Sequence, residues 1–373
     1  MPAPKYPPKP YGLDESALPS LPRKGRGSVS NTASSRFGAQ DRFEIDDGWS
    51  DDERNDWAKA RRRTILGIDT ARRVISRNTS PDIKFSQSIN PYKGCEHGCI
   101  YCFARPSHAF LDLSPGLDFE TRIFRKPDAP GLLRQELSDK RYKAAPIVIG
   151  VNTDAYQPLE RTERLTRRLL EVFAEFRHPV SIITKSALIQ RDLDILGPMA
   201  RDGLFSASLS ITTLNRDLAR IMEPRAATPQ RRLDTIRALT EAGVPVSVMV
   251  APVIPGLTCH ELEAILQASA DAGARRAGYV VVRLPHEVKI LFEEWLHTHY
   301  PDRSGKVLNL IRQCRDGKLN DPNFGSRMSG TGAYAEMIRN RFKLAVKRYG
   351  LDKPSLPANF SDFRGGDPQM NLF

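Results

Sequence analysis

The sequence predicts an α/β fold: a partial (β/α)6 TIM-like barrel with a helical C-terminal extension and a disordered N-terminal tail. Three observations lead there. Six short runs rich in β-branched residues lie between residues 83 and 284. Longer stretches of helical period separate them, the pattern of βα units around a parallel sheet. No Gly-rich dinucleotide turn follows any run, which favours a barrel with its site at the C-terminal ends of the strands.

The elements follow in order. Residues 1–61 lack hydrophobic periodicity: a Pro-rich start, a Gly/Ser/Asn-rich piece, then the acidic run "EIDDGWSDDERND". They read as a disordered tail in which Trp49 and Trp57 dock locally. "RRRTILGIDTARRVI" leads into the folded body, residues 62–285. Strands are expected at "IKFSQSI" (83–89), "PIVIGVN" (146–152), "VSIIT" (180–184), "FSASLSI" (205–211), "VSVMVAP" (246–252) and "GYVVVRL" (278–284). Helices are expected near 131–141, 159–176, 188–201, 229–242 and 259–272. The fourth is the best marked, with Thr228 as N-cap, Pro229 at the first helical position and Gly243 past its end. From 286 to 350 strand signals stop and helical ones continue. The last helix puts Ala335, Ile338, Phe342, Val346 and Tyr349 on one face and Arg339, Lys343 and Lys347 on another. Residues 351–373 read as a flexible tail.

At 373 residues the chain can bury a substantial core. No apolar run reaches the roughly 18–20 residues of a membrane span, and "MPAPKYPPKPYG" has no signal-peptide core. A cytoplasmic protein without a membrane partner is expected, and its five cysteines do not make a disulfide framework. The net charge of +12 suggests an anionic partner. Residues 303–350 hold 11 Lys and Arg against 3 Asp and Glu, so a nucleic-acid contact is expected there.

The chemistry concentrates in "GCEHGCIYCFARPSH", residues 94–108, where Cys95, Cys99 and Cys102 occupy eight positions. A structural zinc site takes four ligands, and His97 or His108 could supply the fourth. The unequal spacing and the place after the first strand, at the expected active face, favour a [4Fe–4S] cluster instead. Three thiolates hold three of its irons and leave the fourth open to an external ligand. His97 as a fourth iron ligand would block that position.

The segments "NPYKGCEHGCIYCFAR", "NTDAYQPLE", "TKSALIQRD" and "MEPRAATPQRRLDTIRALTEAGVPVSVMVAPVIPGL" resemble the radical S-adenosylmethionine (radical SAM) superfamily. The likeness is to its branch related to spore photoproduct lyase, called photolyase-like, and to a bacterial group within it, over about residues 62–350. It implies that S-adenosylmethionine chelates the open iron. One electron, from a donor such as flavodoxin or ferredoxin, then cleaves it to a 5′-deoxyadenosyl radical that abstracts hydrogen. It places Tyr101 against the adenine. Thr153 and Asp154 stand where relatives carry a Gly-Gly-Glu-like stretch for the methionyl amine, which this chain lacks; an Asp turn is the plain alternative. Ser210 is assigned to the ribose or carboxylate, Arg225 to the carboxylate, Lys185 to the active face, and Val253 and Ile254 to the adenine. Cys259 and Cys314 read as inert buried thiols. The substrate stays open between nucleic acid and a protein, peptide or small metabolite, with a non-catalytic zinc-stabilised binding protein as the third reading.

Overall fold

The computed structural model describes residues 22–32, 34, 36, 63–355 and 357–365. Its strands are β1 (Ile65–Ile68), β2 (Ser76–Arg77), β3 (Gln87–Ile89), β4 (Tyr92–Lys93), β5 (Arg122–Arg125), β6 (Ile147–Ile149), β7 (Val180–Thr184), β8 (Phe205–Ser210), β9 (Val246–Val253) and β10 (Arg276–Val281). One sheet runs β10-β9-β8-β7-β6-β3-β2, parallel throughout except for the β2 edge. It is open between its edge strands, a partial barrel. All six expected strands are in it, in order. A smaller sheet, β1-β5-β4, stands beside the start of the cysteine loop.

Side-chain alternation shapes the barrel. Ile147, Ile149, Ile182, Ala207, Leu209, Val246, Val248 and Val250 are buried in the main core, while Ser181, Ser206, Ser208 and Ser247 alternate with them and remain partly exposed. Branched residues thus pack one face, and small hydroxyl residues leave the other roomy.

The helices are α1 (Leu117–Thr121), α2 (Ala129–Ser138), α3 (Glu160–Glu163), α4 (Leu165–Glu175), α5 (Leu193–Arg201), α6 (Arg216–Met222), α7 (Pro229–Glu241), α8 (Leu262–Asp271), α9 (Val288–His299), α10 (Pro301–Gln313), α11 (Ser326–Ser329) and α12 (Gly332–Arg348). The Thr228 hydroxyl caps α7, accepting from Arg231 N–H at 3.4 Å. The helix expected over 159–176 is two, because Arg164 adopts a left-handed conformation (φ 48°) between α3 and α4. A buried Glu160 carboxylate takes the freed amides of Leu165 and Thr166.

Two stretches differ from the sequence expectation. Residues 22–32 were expected to be disordered, yet Ser28, Val29 and Ser30 are buried, because the segment supplies backbone donors to a carboxylate beneath the cysteine loop. The expected docking of Trp49 and Trp57 lies outside the described residues. At the other end, residues 351–365 were expected to be flexible. Leu351 is buried and its carbonyl accepts from Ala277 N–H; Arg364 N–H bonds Phe176 O; Phe360 and Phe363 pack on the His178 ring. Pro354, Ser355, Pro357 and Ala358 line a cavity of about 230 Å3 together with Ser181, Ser206 and Ser247, so this tail closes the N-terminal mouth of the barrel.

The basic 303–350 stretch is partly consumed by the fold. Arg315 is buried and donates to the carbonyls of Val281, Val282 and Arg327. Arg327 pairs with Asp82, and Arg341 with Glu263. Helix α12 begins beside Cys259, whose sulfur lies 3.3 Å from the Tyr334 hydroxyl, and ends where Leu351 meets the start of β10. At 1.5 Å per residue, Lys347 lies about 20 Å along the axis from Tyr334. Its exposed cations, Lys343, Lys347 and Arg348, therefore lie toward the N-terminal ends of the strands.

Candidate active site at the cysteine loop

The cysteine loop leaves the C-terminal end of β3 and is wound by local bonds. Gly98 N–H donates to Cys95 O, Cys102 N–H to Cys99 O and Arg105 N–H to Cys102 O. Gly94 (φ 80°) and Gly98 (φ 67°) take left-handed conformations that a Cβ would strain. Cys95, Cys99 and Cys102 are free thiols, the first two buried and the third half-buried. Burial, then the Asp154 carboxylate, then the other two thiols raise the Cys95 pKa. Burial, then Glu223, push Cys99 up to about 12. Desolvated thiols of this kind ionise when a cation binds them.

This donor set fits an iron–sulfur cluster with one open iron: three thiols within electrostatic reach of one another and both neighbouring imidazoles engaged elsewhere. His97 Nδ1 lies 3.3 Å from Asp154, and His108 Nε2 lies 2.9 Å from Arg122 O. Among the described residues no three His, Cys, Asp or Glu side chains close around one ion. A zinc knuckle would hold its sulfurs about 3.8 Å apart, given a Zn–S bond of about 2.3 Å.

Two carboxylates flank the loop at the strand ends, Glu223 buried and Asp154 nearly so. Asp154, after β6, accepts from Tyr156 N–H (2.9 Å), Thr184 Oγ1 (2.7 Å) and Lys185 N–H (2.8 Å). Burial pushes its carboxyl up, but facing His97 and these donors hold it at about 2. Glu223, after α6, accepts from the Tyr101 hydroxyl, from Thr212 Oγ1 (2.8 Å) and from the Arg232 guanidinium. Burial again opposes ionisation, and Arg232 and Lys185 hold this carboxyl at about 2. Both are fixed anions whose donors come from separate strands and helices.

Not every expected residue meets at the loop. Tyr101 is buried there, and Lys185, half-buried, has its Nζ 5.8 Å from the Tyr101 ring centroid. Ile254 packs in one cluster with Cys99 and Tyr101. Ser210 is buried at the end of β8, its carbonyl accepting from Arg232 and its hydroxyl without a partner among the described residues. Asp154 makes the Asx turn to Tyr156 that was its plain alternative, and its carboxylate is spent on that turn and on β7. Thr153 is pinned through Oγ1 to Tyr92 O at 2.8 Å, and Val253 is core. Arg225 reaches the loop from outside: its amide donates to His97 O and its guanidinium pairs with Glu96 at 2.7 Å. Cys259 is buried beyond β9 and accepts from Gly256 N–H, and Cys314 is buried beside β10.

Sequence reasoning missed the carboxylates that organise this end. Glu223 stands in "MEPRA", two places before the Arg225 chosen from it; nothing in the string says which side chain turns inward. Glu120, fully buried in α1, accepts Gly27 N–H (3.0 Å), Ser28 N–H (2.9 Å) and Arg105 Nη2 (2.5 Å). Arg105 also donates to the carbonyls of Gly98 and Cys99. One buried ion pair thereby ties the N-terminal strap, α1 and the cysteine loop together.

The profile described as the radical SAM superfamily matches residues 89–268. An uncharacterised protein of Mycobacterium tuberculosis is 33% identical over 278 residues, which cover 74% of this chain and 78% of the relative. A radical SAM Nalpha-GlyT isomerase of Pseudomonas phage M6 is 24% identical over 276 residues, covering 72% of this chain and 51% of the relative. Among solved structures, spore photoproduct lyase complexed with dinucleoside spore photoproduct superimposes with a TM-score of 0.53 at 15% identity, over 77% of this chain and 79% of that one.

Proposed function

The chain belongs to the radical SAM superfamily and is an enzyme with a [4Fe–4S] cluster and S-adenosylmethionine as cofactors, and on that premise we propose that Cys95, Cys99 and Cys102 hold the cluster and that the substrate is nucleic acid. The observation that carries the site is the trio of free thiols on the loop after β3, bordered by Tyr101, Lys185 and Ile254. Bound there, the cofactors supply one-electron cleavage of S-adenosylmethionine and a hydrogen-abstracting 5′-deoxyadenosyl radical. The protein's share is placement. Lys185 offers the methionyl carboxylate a cation, Ser210 offers a hydroxyl, and Ile254 offers the adenine an apolar wall. Glu223 fixes the Tyr101 ring by accepting its hydroxyl. The C-terminal tail closes the N-terminal mouth of the barrel, which leaves the end with the cysteine loop to admit a substrate.

Nucleic acid is favoured by the net charge of +12 and by the dinucleoside held by spore photoproduct lyase on the same fold. We place the reaction in the cytoplasm, where the five free thiols stay reduced and a flavodoxin or ferredoxin supplies the electron. No helix of the described residues is long and apolar enough to cross a membrane. Anaerobic reconstitution tests the site. About four irons per chain and 5′-deoxyadenosine formation under reduction are expected, with the rate raised by oligonucleotide. A colourless zinc protein, or a rate raised by peptide or metabolite fractions alone, overturns the reading.

A further inference from the structure

A cavity of about 1060 Å3 abuts the cysteine loop from outside. Its walls carry Arg23, Lys24, Arg26, Arg63, Arg220 and Arg225, and no Asp or Glu lines it among the described residues. These cations come from three separate places: the N-terminal strap, the approach to β1, and α6 with the turn after it. Lys24, Arg63 and Arg220 are exposed and make no ion pair among the described residues. Arg225 and Arg26 link the cavity to the site. The first bonds His97 O and Glu96 inside the cysteine motif, and the second donates to Glu120 O at 2.7 Å.

Resting on the nucleic-acid reading above, we propose that this cavity docks the sugar–phosphate backbone of the substrate. Converging guanidinium forks match phosphate oxygens bidentately and sequence-independently. A cluster of like charge gains stability when a polyanion neutralises it and counterions are released. The alternative cationic surface, on α12, points its Lys343 and Lys347 toward the opposite mouth of the barrel. The cavity instead shares Arg225 with the cysteine loop, so a backbone held there keeps its bases near the reacting end of the barrel.

The test is fluorescence anisotropy of the reconstituted full chain with a labelled 12-nucleotide single strand across a salt series. Lys24→Ala/Arg63→Ala/Arg220→Ala is compared with Lys343→Ala/Lys347→Ala. The cavity triple is expected to weaken binding at least tenfold at low salt. It should also flatten the slope of log K against log salt by about 2, at about 0.7 per phosphate lost; the α12 pair should leave both unchanged. Matching circular dichroism melts establish that the triple folds. If the wild type binds no oligonucleotide at low salt, the nucleic-acid reading itself falls. If the wild type binds and the triple binds equally, or if the α12 pair carries the loss, the cavity assignment alone falls. Equal competition by polyglutamate of the same charge also overturns it, in favour of an acidic polypeptide.

Discussion

The backbone of Gly27 lies against Gly98 so closely that a Cβ on Gly27 would stand 1.9 Å from the Gly98 carbonyl oxygen. The obstacle is backbone of the cysteine loop itself, which cannot yield as a side-chain tip could. Gly27→Ala is therefore expected to lift the strap, losing the amide bonds to Glu120, and to lower iron retention during desalting several-fold. Gly25→Ala is a poor control because of its left-handed φ of 75°; Gly131→Ala, with open space around it, should leave iron content unchanged.

Glu120→Gln should destabilise the same region. Removing one partner of a buried, hydrogen-bonded ion pair leaves Arg105 uncompensated, at a cost of about 3–5 kcal/mol. Urea unfolding of the variant is the measurement. A loss below about 1 kcal/mol, the range of an exposed pair, would show that the pair is solvated in solution.

Replacing the thiols separates the two classes of cysteine. Cys95→Ala, Cys99→Ala and Cys102→Ala should each abolish the charge-transfer absorbance of a reconstituted cluster. Cys314→Ala should retain it in full, and iron analysis alongside absorbance decides. Retention by a Cys102→Ala chain would remove that residue from the ligand set.

Lys185→Met keeps the length of the side chain and removes its charge. It should raise the calorimetric Kd for S-adenosylmethionine at least tenfold with iron content unchanged, in line with a charge-assisted hydrogen bond of about 1.5–3 kcal/mol. An unchanged Kd would leave Lys185 only its packing role over Tyr101.

Stability should depend on pH through His178, remote from the loop. Burial holds its pKa down at about 4, against the pull of its bond to Pro179 O. Below the ordinary histidine value of about 6.5 the unfolded chain takes up a proton that the folded chain refuses. Its contribution is thus intact above pH 6.5 and is lost as pH falls toward 4, by about 3 kcal/mol over the whole interval. His178→Gln should flatten the urea-midpoint profile between pH 7 and 5. A variant profile parallel to that of the wild type would assign the acid sensitivity elsewhere.

What the sequence disclosed follows from periodicity. The strands at 180–184 and 205–210 were legible because buried and exposed residues alternate through them, and α7 because Thr228, Pro229 and Gly243 mark its ends. Cys95, Cys99 and Cys102 stand out in the sequence because they fall within eight positions of the chain. The meeting of Glu120 with Gly27 was not legible, because the two lie 93 positions apart and each looks ordinary in its own neighbourhood. Low hydrophobicity suggested disorder for residues 22–32 and 351–365. Both segments are instead held by backbone hydrogen bonds and a few anchoring side chains, which composition does not register. Glu223 turns inward to Tyr101 and Arg225 pairs with Glu96 from outside, a choice that the string "MEPRA" does not disclose.

In binding terms the strap is a peptide ligand for the Glu120 pocket that its own chain supplies, so its local concentration is set by covalent connection and does not fall on dilution. A one-carbon change at Gly27 acts on that docking alone, as a mutation in a peptide ligand acts on its affinity.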